Sequence, residues 1–239
     1  MLTAGVTSTA DVVAMGVPRN RVVEGFNTVD VERFAKGAQR VRGGDHRIGG
    51  GHRFLYVGMM IERKNVHGLI DAFATIREPG DTLTIVGTGP LAPGLRTRVQ
   101  ALGLADAVCF RGHLDGDALT AAYGGAETFV LPSTLEVWGL VVNEALAAGL
   151  HVVVSGVAGV APNIEGMPGV FLVPPTSAEI ARGMVASRES WSGPCADHPI
   201  TAHTPQALAA LVAQMARSEP EAPSGPRRHL CSSGKRGGR

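Results

Sequence analysis

Short apolar runs alternate with helical patterns along residues 53–188, and this alternation limits the possible folds more than any other feature of the chain. The runs are apolar throughout, as strands buried on both faces of a parallel sheet are. The sequence therefore predicts an α/β, Rossmann-like parallel sheet flanked by helices. The predicted strands are 53–57, 82–86, 107–110, 127–131, 151–154 and 169–173. The predicted helices are 66–76, 92–102, 115–123, 139–148 and 177–188, with Asp115 as an N-cap and Gly149 as a stop signal.

The charge balance and hydropathy argue against two classes of partner. The 22 Lys and Arg residues face 21 Asp and Glu residues, a net charge of +1. Nucleic-acid binding needs clustered Lys and Arg along a phosphate track, so no nucleic acid is expected as main partner. The N-terminus has no basic region followed by an apolar run, so we predict no secretion signal. The apolar stretch at 139–162 is interrupted by Asn143, Glu144 and His151, which favours a buried helix and strand over a membrane span.

The cysteines point to a reducing compartment. Cys109, Cys195 and Cys231 are far apart and odd in number, with neither metal-ligand spacing nor a disulfide pattern. We therefore expect a cytoplasmic protein without a metal site. Cys109 falls in a predicted strand and is predicted to be a small buried core residue.

Two glutamates, Glu136 and Glu144, bracket the predicted start of the helix at 139–148. The preceding strand ends near 131, which places Glu136 at the carboxyl edge of the sheet, where open parallel sheets bind ligands. If Gly139 opens the helix, the backbone N–H groups of residues 139–141 point at this crevice and can hold a diphosphate.

A carboxylate can accept paired hydrogen bonds from a vicinal diol, which both ribose and hexoses offer. Glu144 therefore suits a ribose and Glu136 a transferred sugar. The alternative is that Glu136 is a loop charge and Glu144 a solvated helix residue. Apart from Asn143 and Glu144 the helix is apolar, which leaves little solvated face, but residue chemistry alone leaves both interpretations open.

The segment 131–155, which contains both glutamates, resembles the Glu-rich motif of the retaining glycosyltransferases of family 4, the glycosyl transferases group 1. These enzymes have the GT-B architecture of two Rossmann-like halves. Further segments resemble parts of the donor-binding half in the same order, and together they cover roughly residues 50–190. They are a strand at 54–58, a basic loop at 63–65, a helix at 69–73, a strand with a glycine turn at 83–91 and a strand at 108–112.

The basic loop follows the first of these strands. Two cations at the same edge as Glu136, Arg63 and Lys64, can neutralise a diphosphate and stabilise it as a leaving group. The alternative is a solvated loop pair. The resemblance implies catalytic roles for Glu136, Lys64 and Arg63, and places the backbone of Gly139, Leu140 and Val141 on the diphosphate and Glu144 on the ribose.

The glycine turn has two interpretations. Gly87 and Gly89 do not continue as a dinucleotide fingerprint, because the third glycine is displaced to Gly94, so a nicotinamide enzyme is disfavoured. Tight turns need glycine in any case. The resemblance implies that Gly87 and Gly89 let the backbone pass close to the nucleotide, and that Gly112 and His113 lie near its base.

The chain also departs from the family pattern. Many members carry an arginine where this chain has Met59, and relatives commonly have an acidic residue where it has Pro162. At the first position, either Arg63 takes over the role of that arginine or phosphate binding is weakened. At the second, a possible acidic contact at the rim of the site is lost. Trp138 takes a place usually given to an aromatic residue and is predicted to pack beneath the Glu136 loop.

The chain divides into four predicted parts. Residues 1–52 resemble a remnant of the inter-domain passage, ending in an exposed Gly- and Arg-rich linker at 37–52. Residues 53–192 form the nucleotide-sugar-binding domain, and 193–217 a C-terminal helical extension. The Pro-, Gly-, Ser- and Arg-rich tail at 218–239 is predicted to be disordered.

The resemblance implies transfer of a sugar from a nucleoside-diphosphate sugar to an acceptor hydroxyl, with retention and without a metal or other cofactor. The implied partners are the donor and a sugar, lipid or small-molecule acceptor, with peripheral membrane association of the full enzyme allowed. Since almost nothing of an acceptor domain is present, we expect an isolated chain that transfers sugar slowly or not at all and exposes an apolar half-interface. Two alternatives stay open: a truncated or non-catalytic nucleotide-sugar-binding module, and a sugar-nucleotide epimerase.

Overall fold

The computed structural model describes residues 1–43, 50–195 and 197–217. The predicted tail at 218–239 and part of the predicted linker, 44–49, lie outside the described residues. The helices and strands in chain order are β1 Leu2–Ala4, α1 Gly5–Ala14, β2 Val23–Gly25, α2 Val31–Arg42, β3 Arg53–Val57, α3 Val66–Ile76, β4 Thr82–Val86, α4 Ala92–Ala101, β5 Val108–Gly112, α5 Gly116–Gly124, β6 Thr128–Leu131, α6 Leu140–Ala147, β7 His151–Ser155, α7 Ala161–Ile164, β8 Val170–Val173, α8 Ser177–Ser190 and α9 Pro205–Arg217.

Six parallel strands form the main sheet, in the order β5-β4-β3-β6-β7-β8. The chain builds outward from β3 to β5, then returns to the other side of β3 and builds outward again. The predicted fold class is confirmed, and each predicted strand and helix matches its observed element to within two residues at either end. The reversal between β3 and β6 is the switch point at which open sheets of this kind bind ligands.

The strands are apolar throughout because both faces of the sheet are covered. Leu55 and Val57 of β3 face a core shared with α2, α5 and α6, while Phe54 and Tyr56 face a second core shared with α3, α4 and α8. All four side chains are at most 9% exposed. Burial on both faces removes the polar alternation that a half-exposed strand would show.

The prediction of an exposed linker at 37–52 is wrong for residues 37–42, which form the second half of α2. Asp30 caps this helix, since its carboxylate accepts the Arg33 N–H at 3.0 Å. Phe34 and Ala38, four residues apart, are buried on the same face. Gly37 is present because a Cβ there would come within 2.5 Å of the Thr120 side chain on α5. The glycine in this segment therefore reflects the close packing of α2 against α5 rather than a loop.

Three local predictions have mixed outcomes. Gly149 follows the end of α6 with φ of +79°, as the stop signal predicts. Asp115 occupies the N-cap position of α5, but its side chain makes no capping hydrogen bond. The prediction that Cys109 is buried is wrong, because it lies on β5, an edge strand of the sheet, and is exposed. Strand order, which decides which strand is an edge, cannot be read from one strand's sequence.

The chain between α8 and α9 packs back onto α6. Ile200 is fully buried in the core that contains α6, and His198 is 1% exposed. The His198 ring accepts the Ile200 backbone N–H at Nδ1, 3.1 Å away, and its Nε2 lies 3.0 Å from the Pro168 carbonyl oxygen. These contacts fit the neutral imidazole that donates from Nε2. Protonation of Nδ1 would turn this nitrogen into a donor that faces the Ile200 N–H, so that hydrogen bond would be lost.

Acidification should destabilise the protein through His198. Burial lowers the pKa of the His198 imidazole below its ordinary value, although the hydrogen bond that the ring donates to the Pro168 carbonyl opposes this shift. The unfolded chain then binds the proton more tightly, so the stability is complete above an unfolded pKa of about 6.5 and is lost as the pH falls below it. We expect the free energy of unfolding, measured in urea, to fall there by at most ~1.4 kcal/mol per pH unit from this residue.

The test variant is His198→Asn, and the wild type is its reference. Burial also lowers the pKa of His52, His151 and His203, so only part of the pH dependence belongs to His198. Its replacement should flatten that part. A His198→Asn protein with the wild-type pH dependence would contradict the assignment.

Candidate active site

The loops that follow β3 and β6 meet at the carboxyl edge of the sheet. These strands are parallel neighbours, with Phe54 opposite Thr128 and Leu55 opposite Phe129. The loop after β3 carries Arg63 and Lys64, and the loop after β6 carries Glu136. Parallel pairing therefore brings together side chains that are about 70 residues apart in the sequence.

Lys64 and Glu136 form an ion pair at this edge, from Nζ to Oε2. Their side chains are 13% and 10% exposed, so the pair is mostly removed from water. Ser133 Oγ lies 3.5 Å from the same carboxylate oxygen. The sequence assigned both residues to the donor but did not predict that they contact each other. Two charges this far from water persist because each neutralises the other.

Arg63 holds the Glu136 loop by its backbone and side chain. Its carbonyl oxygen accepts the Thr134 N–H at 2.9 Å, and its Nη1 donates to the Leu135 carbonyl at 3.3 Å. On the other side of the loop, Glu136 bridges to Ala158, whose neighbour Gly159 donates its N–H to the Glu136 carbonyl at 3.0 Å. The loop is therefore fixed between the turns that follow β3 and β7.

Asn65 is the last residue of the basic loop, and the sequence predicted no role for its side chain. It is the N-cap of α3 and has a left-handed backbone, with φ of +52° and ψ of +38°. Its Nδ2 donates to the Pro132 and Pro175 carbonyls at 3.1 and 2.9 Å. Asparagine tolerates this backbone conformation better than most residues. Asn65 therefore ties the basic loop to the carboxyl ends of β6 and β8.

Helix α6 presents its N-terminus at the same edge. The prediction that Gly139 opens the helix is off by one position, because α6 begins at Leu140 and Gly139 is its N-cap, with φ of +101°. No side chain among the described residues caps this end. The first backbone N–H groups, with the positive end of the helix dipole, are therefore available to an anion.

Glu144 is half-buried, one turn into α6. Its Oε2 accepts a hydrogen bond of 2.7 Å from the hydroxyl of Tyr123 on α5. Burial raises the pKa of the Glu144 carboxyl, while the hydrogen bond from Tyr123 and the charge of Arg33 oppose that shift. The interpretation of Glu144 as a solvated helix residue is thus wrong. The structure also makes Tyr123 a neighbour of the site, which the sequence analysis missed.

The glycine turn has a packing reason that the sequence left open. A Cβ on Gly87 would lie 1.9 Å from the Gly58 carbonyl oxygen, and one on Gly89 would lie 2.4 Å from that of Met60. The Met60 N–H donates to the Thr88 carbonyl at 2.8 Å, so the loops after β3 and β4 are in backbone contact. Glycine is required here whether or not a nucleotide passes.

Gly112 and His113 lie at the carboxyl end of β5. This is the outermost strand on one side of β3, whereas Glu144 belongs to the helix that follows β6, on the other side of β3. The Gly112 carbonyl accepts the Gly87 N–H at 2.7 Å. His113 is exposed, and among the described residues it takes no part in the hydrogen bonds of Glu136 or Glu144. Their proximity to a nucleotide base remains a prediction.

A separate cavity of about 470 Å³ lies between α9, β2 and α7 and does not include this edge. Phe26, His203 and Leu208 are among its lining residues, and the described part of its lining contains neither Lys nor Arg. The described lining offers no cation to a diphosphate, whereas the edge at α6 combines a cation with a helix N-terminus. We therefore place the candidate site at the sheet edge.

Within the described ranges, 1–43, 50–195 and 197–217, no three or more His, Cys, Asp or Glu side chains cluster so as to hold a metal ion. No helix there combines the length and apolar character needed to cross a bilayer.

Comparison with known proteins identifies the family. The profile of the glycosyl transferases group 1 matches residues 51–187, and the chain belongs to this family. Among curated relatives, a glycogen synthase of Mycobacterium tuberculosis is 37% identical over 158 residues, which cover 65% of this chain and 37% of that protein. The chain thus spans little more than a third of the length of the curated relatives it matches.

Solved structures share the fold. An Anabaena protein, HepE, in complex with UDP and glucose superimposes with a TM-score of 0.71 at 18% identity, over 91% of this chain and 62% of that one. The sucrose-phosphate synthase of Thermosynechococcus elongatus gives a TM-score of 0.69 at 23% identity, over 90% and 57%. At these identities the likeness shows the fold alone.

The ion pair should appear as an energetic coupling between Lys64 and Glu136. Either single variant, Lys64→Met or Glu136→Gln, leaves a mostly buried charged or polar group without its partner. We expect a coupling free energy of about 1–3 kcal/mol in a double-mutant cycle on urea unfolding. The same cycle with Arg63→Met in place of Lys64→Met should give a coupling near zero, because Arg63 contacts a carbonyl and not the carboxylate. Equal coupling in both cycles would rule out a specific ion pair.

Proposed function

We propose that this chain is the donor-binding part of a glycosyltransferase that moves a sugar from a nucleoside-diphosphate sugar to an acceptor hydroxyl, with retention at the anomeric carbon. One observation carries the proposal. The uncapped N-terminus of α6, the Lys64 ammonium and two carboxylates lie at a single switch point of the sheet. This combination offers positive charge to a diphosphate and hydrogen-bond acceptors to the sugars on either side of it.

The diphosphate is the centre of the proposed complex. Its oxygens would accept the free N–H groups of Leu140 and Val141, where the helix dipole favours an anion. Lys64 would supply a full positive charge. When the bond to the sugar breaks, negative charge grows on the departing diphosphate, and groups already oriented toward it stabilise that charge without rearranging.

The Lys64–Glu136 pair has a further use in this arrangement. In the free protein each side chain keeps the other at the edge of the sheet. When a donor binds, the Lys64 ammonium would contact a phosphate oxygen as well as Glu136. Glu136 would then also accept hydrogen bonds from hydroxyls of the transferred sugar. The chemistry is then positioning and charge stabilisation, with Arg63 holding the loop that carries Glu136.

Glu144 is the proposed ribose contact. Tyr123 occupies its Oε2, which leaves Oε1 for a ribose hydroxyl. The raised pKa of this carboxyl means that its ionised form is less stable than in water, and hydroxyl donors from a ligand would compensate for lost hydration.

The relatives support the class of ligand and reaction. The curated relatives are named as a glycogen synthase and as glycosyltransferases. The Anabaena neighbour holds UDP and glucose. These names favour a nucleoside diphosphate as ligand, with the base and the sugar left to experiment.

The acceptor would be presented by a second half. Large apolar side chains are exposed after β3, β6 and β7 at the carboxyl edge, and they are Met59, Leu135, Val137, Leu140 and Val157. Exposed apolar groups around a polar site are typical of a surface that another domain or molecule covers. We propose that the acceptor-binding half closes on this rim and excludes water from the diphosphate.

Loss of the Lys64 ammonium should weaken the binding of a nucleoside diphosphate but not that of the nucleoside. We expect Lys64→Ala to weaken the binding of UDP, GDP or ADP, whichever the wild type binds most tightly, by about tenfold or more. The matching nucleoside should bind equally well to both proteins, because it presents no phosphate oxygens to an ammonium. Isothermal titration calorimetry measures both ligands.

Two further variants make the test specific. Lys36→Ala removes an exposed ammonium that pairs with Glu32 on α2 and should leave both affinities unchanged. Lys64→Ala combined with Glu136→Gln removes the negative charge that the single variant leaves unpaired, so any remaining loss belongs to the ammonium itself. Equal weakening of nucleoside and diphosphate by Lys64→Ala would show that Lys64 acts through folding.

A further inference from the structure

Tyr123 lies beneath Glu144 and fixes one of its carboxylate oxygens. The tyrosine is fully buried on α5, and its hydroxyl donates to Glu144 Oε2 at 2.7 Å. The same hydroxyl lies 3.4 Å from the Val141 carbonyl in the first turn of α6. One side chain therefore touches both the carboxylate and the helix N-terminus assigned to the diphosphate.

The position of this hydroxyl is set by the protein core. Phe34 of α2 meets the Tyr123 ring edge to face, with centroids 5.4 Å apart and an angle of 88° between the planes. Phe129 of β6 is a second ring neighbour, with centroids 6.0 Å apart. Full burial between a helix and a strand restricts the movement of the tyrosine ring.

We propose that Tyr123 is a positioning residue that orients the Glu144 carboxylate for a ribose diol, an inference that rests on the proposed function. A free glutamate side chain has several rotamers, and binding a ligand must select one of them. Because Tyr123 already holds Oε2, that selection is made before the ligand arrives. Oε1 keeps lone pairs that Tyr123 does not occupy and that can accept hydrogen bonds from a diol.

The same hydrogen bond favours the ionised form of the carboxyl. Two groups from neighbouring elements act on Glu144: the Tyr123 hydroxyl from α5 and the Arg33 guanidinium from α2. Both lower the pKa of Glu144, against the larger opposite effect of burial. A protonated carboxyl would offer one oxygen as a donor and lose part of its capacity to accept from a diol. Removing the Tyr123 hydroxyl should therefore move the acid limit of nucleotide binding to higher pH.

Tyr123→Phe keeps the ring and removes only the hydroxyl. Tyr56→Phe is the matched control, because Tyr56 is also fully buried at this edge but donates to the Met59 carbonyl, 2.9 Å away. The ligands are the nucleoside diphosphate among UDP, GDP and ADP that the wild type binds most tightly, and its 2′,3′-dideoxy form. Calorimetry gives the dissociation constants.

We expect Tyr123→Phe to raise the dissociation constant of the ribose-containing diphosphate about tenfold. The dissociation constant of the dideoxy form should stay within a factor of about two, which is less than half of one kcal/mol. Tyr56→Phe should change neither. In a Glu144→Gln background, Tyr123→Phe should have little further effect, because the carboxylate that it orients is gone. Equal loss for both ligands, or no loss for the ribose form, would overturn the positioning role.

A second measurement needs no ligand. Carbon-13 NMR of the Glu144 carboxyl, assigned by its absence in Glu144→Gln, gives its pKa in the free protein. Tyr123→Phe should raise that pKa and Tyr56→Phe should not. If the wild type binds none of the three diphosphates, the proposed function fails, while an unchanged Glu144 pKa in Tyr123→Phe would overturn the Tyr123 inference separately.

Discussion

The parallel pairing of β3 with β6 is the constraint on which the candidate site depends. It joins the two halves of the sheet and places the loop carrying Lys64 beside the loop carrying Glu136. Both loops leave the same edge because the strands are parallel, and α6 then starts at that edge with its N-terminus toward it. An antiparallel partner for β3 would send one of these loops to the opposite end of the sheet.

Residues 26–34, which precede the main sheet, pack against the candidate site. Phe26 meets the Trp138 ring edge to face at 5.1 Å, beneath the Glu136 loop, as the packing role predicted for Trp138 requires. The Asn143 side chain of α6 donates to the Asn27 carbonyl at 2.6 Å. With Phe34 against Tyr123, residues 26–34 contact the site loop, the site helix and the support of Glu144. Polar groups can be half-buried here because packed side chains fix their partners.

The elements and the site were not equally predictable from the sequence. Buried strands and amphipathic helices have local periods, so the main sheet could be predicted, and Glu144 stood out because it is the one charged residue of α6. The Lys64–Glu136 pair and the Tyr123–Glu144 contact join residues far apart in sequence and depend on strand order. The same lack of tertiary context led to the errors at Cys109, whose strand is an edge, and at 37–42, whose glycine packs against a helix.

A crystal structure of the chain with a bound nucleoside diphosphate would show where the anion binds. We expect phosphate oxygens within hydrogen-bonding distance of the Leu140 and Val141 N–H groups and of Lys64 Nζ, with the ribose hydroxyls on Glu144. Density for the diphosphate in the cavity beneath α9, or anywhere away from the carboxyl ends of β3 and β6, would contradict this expectation.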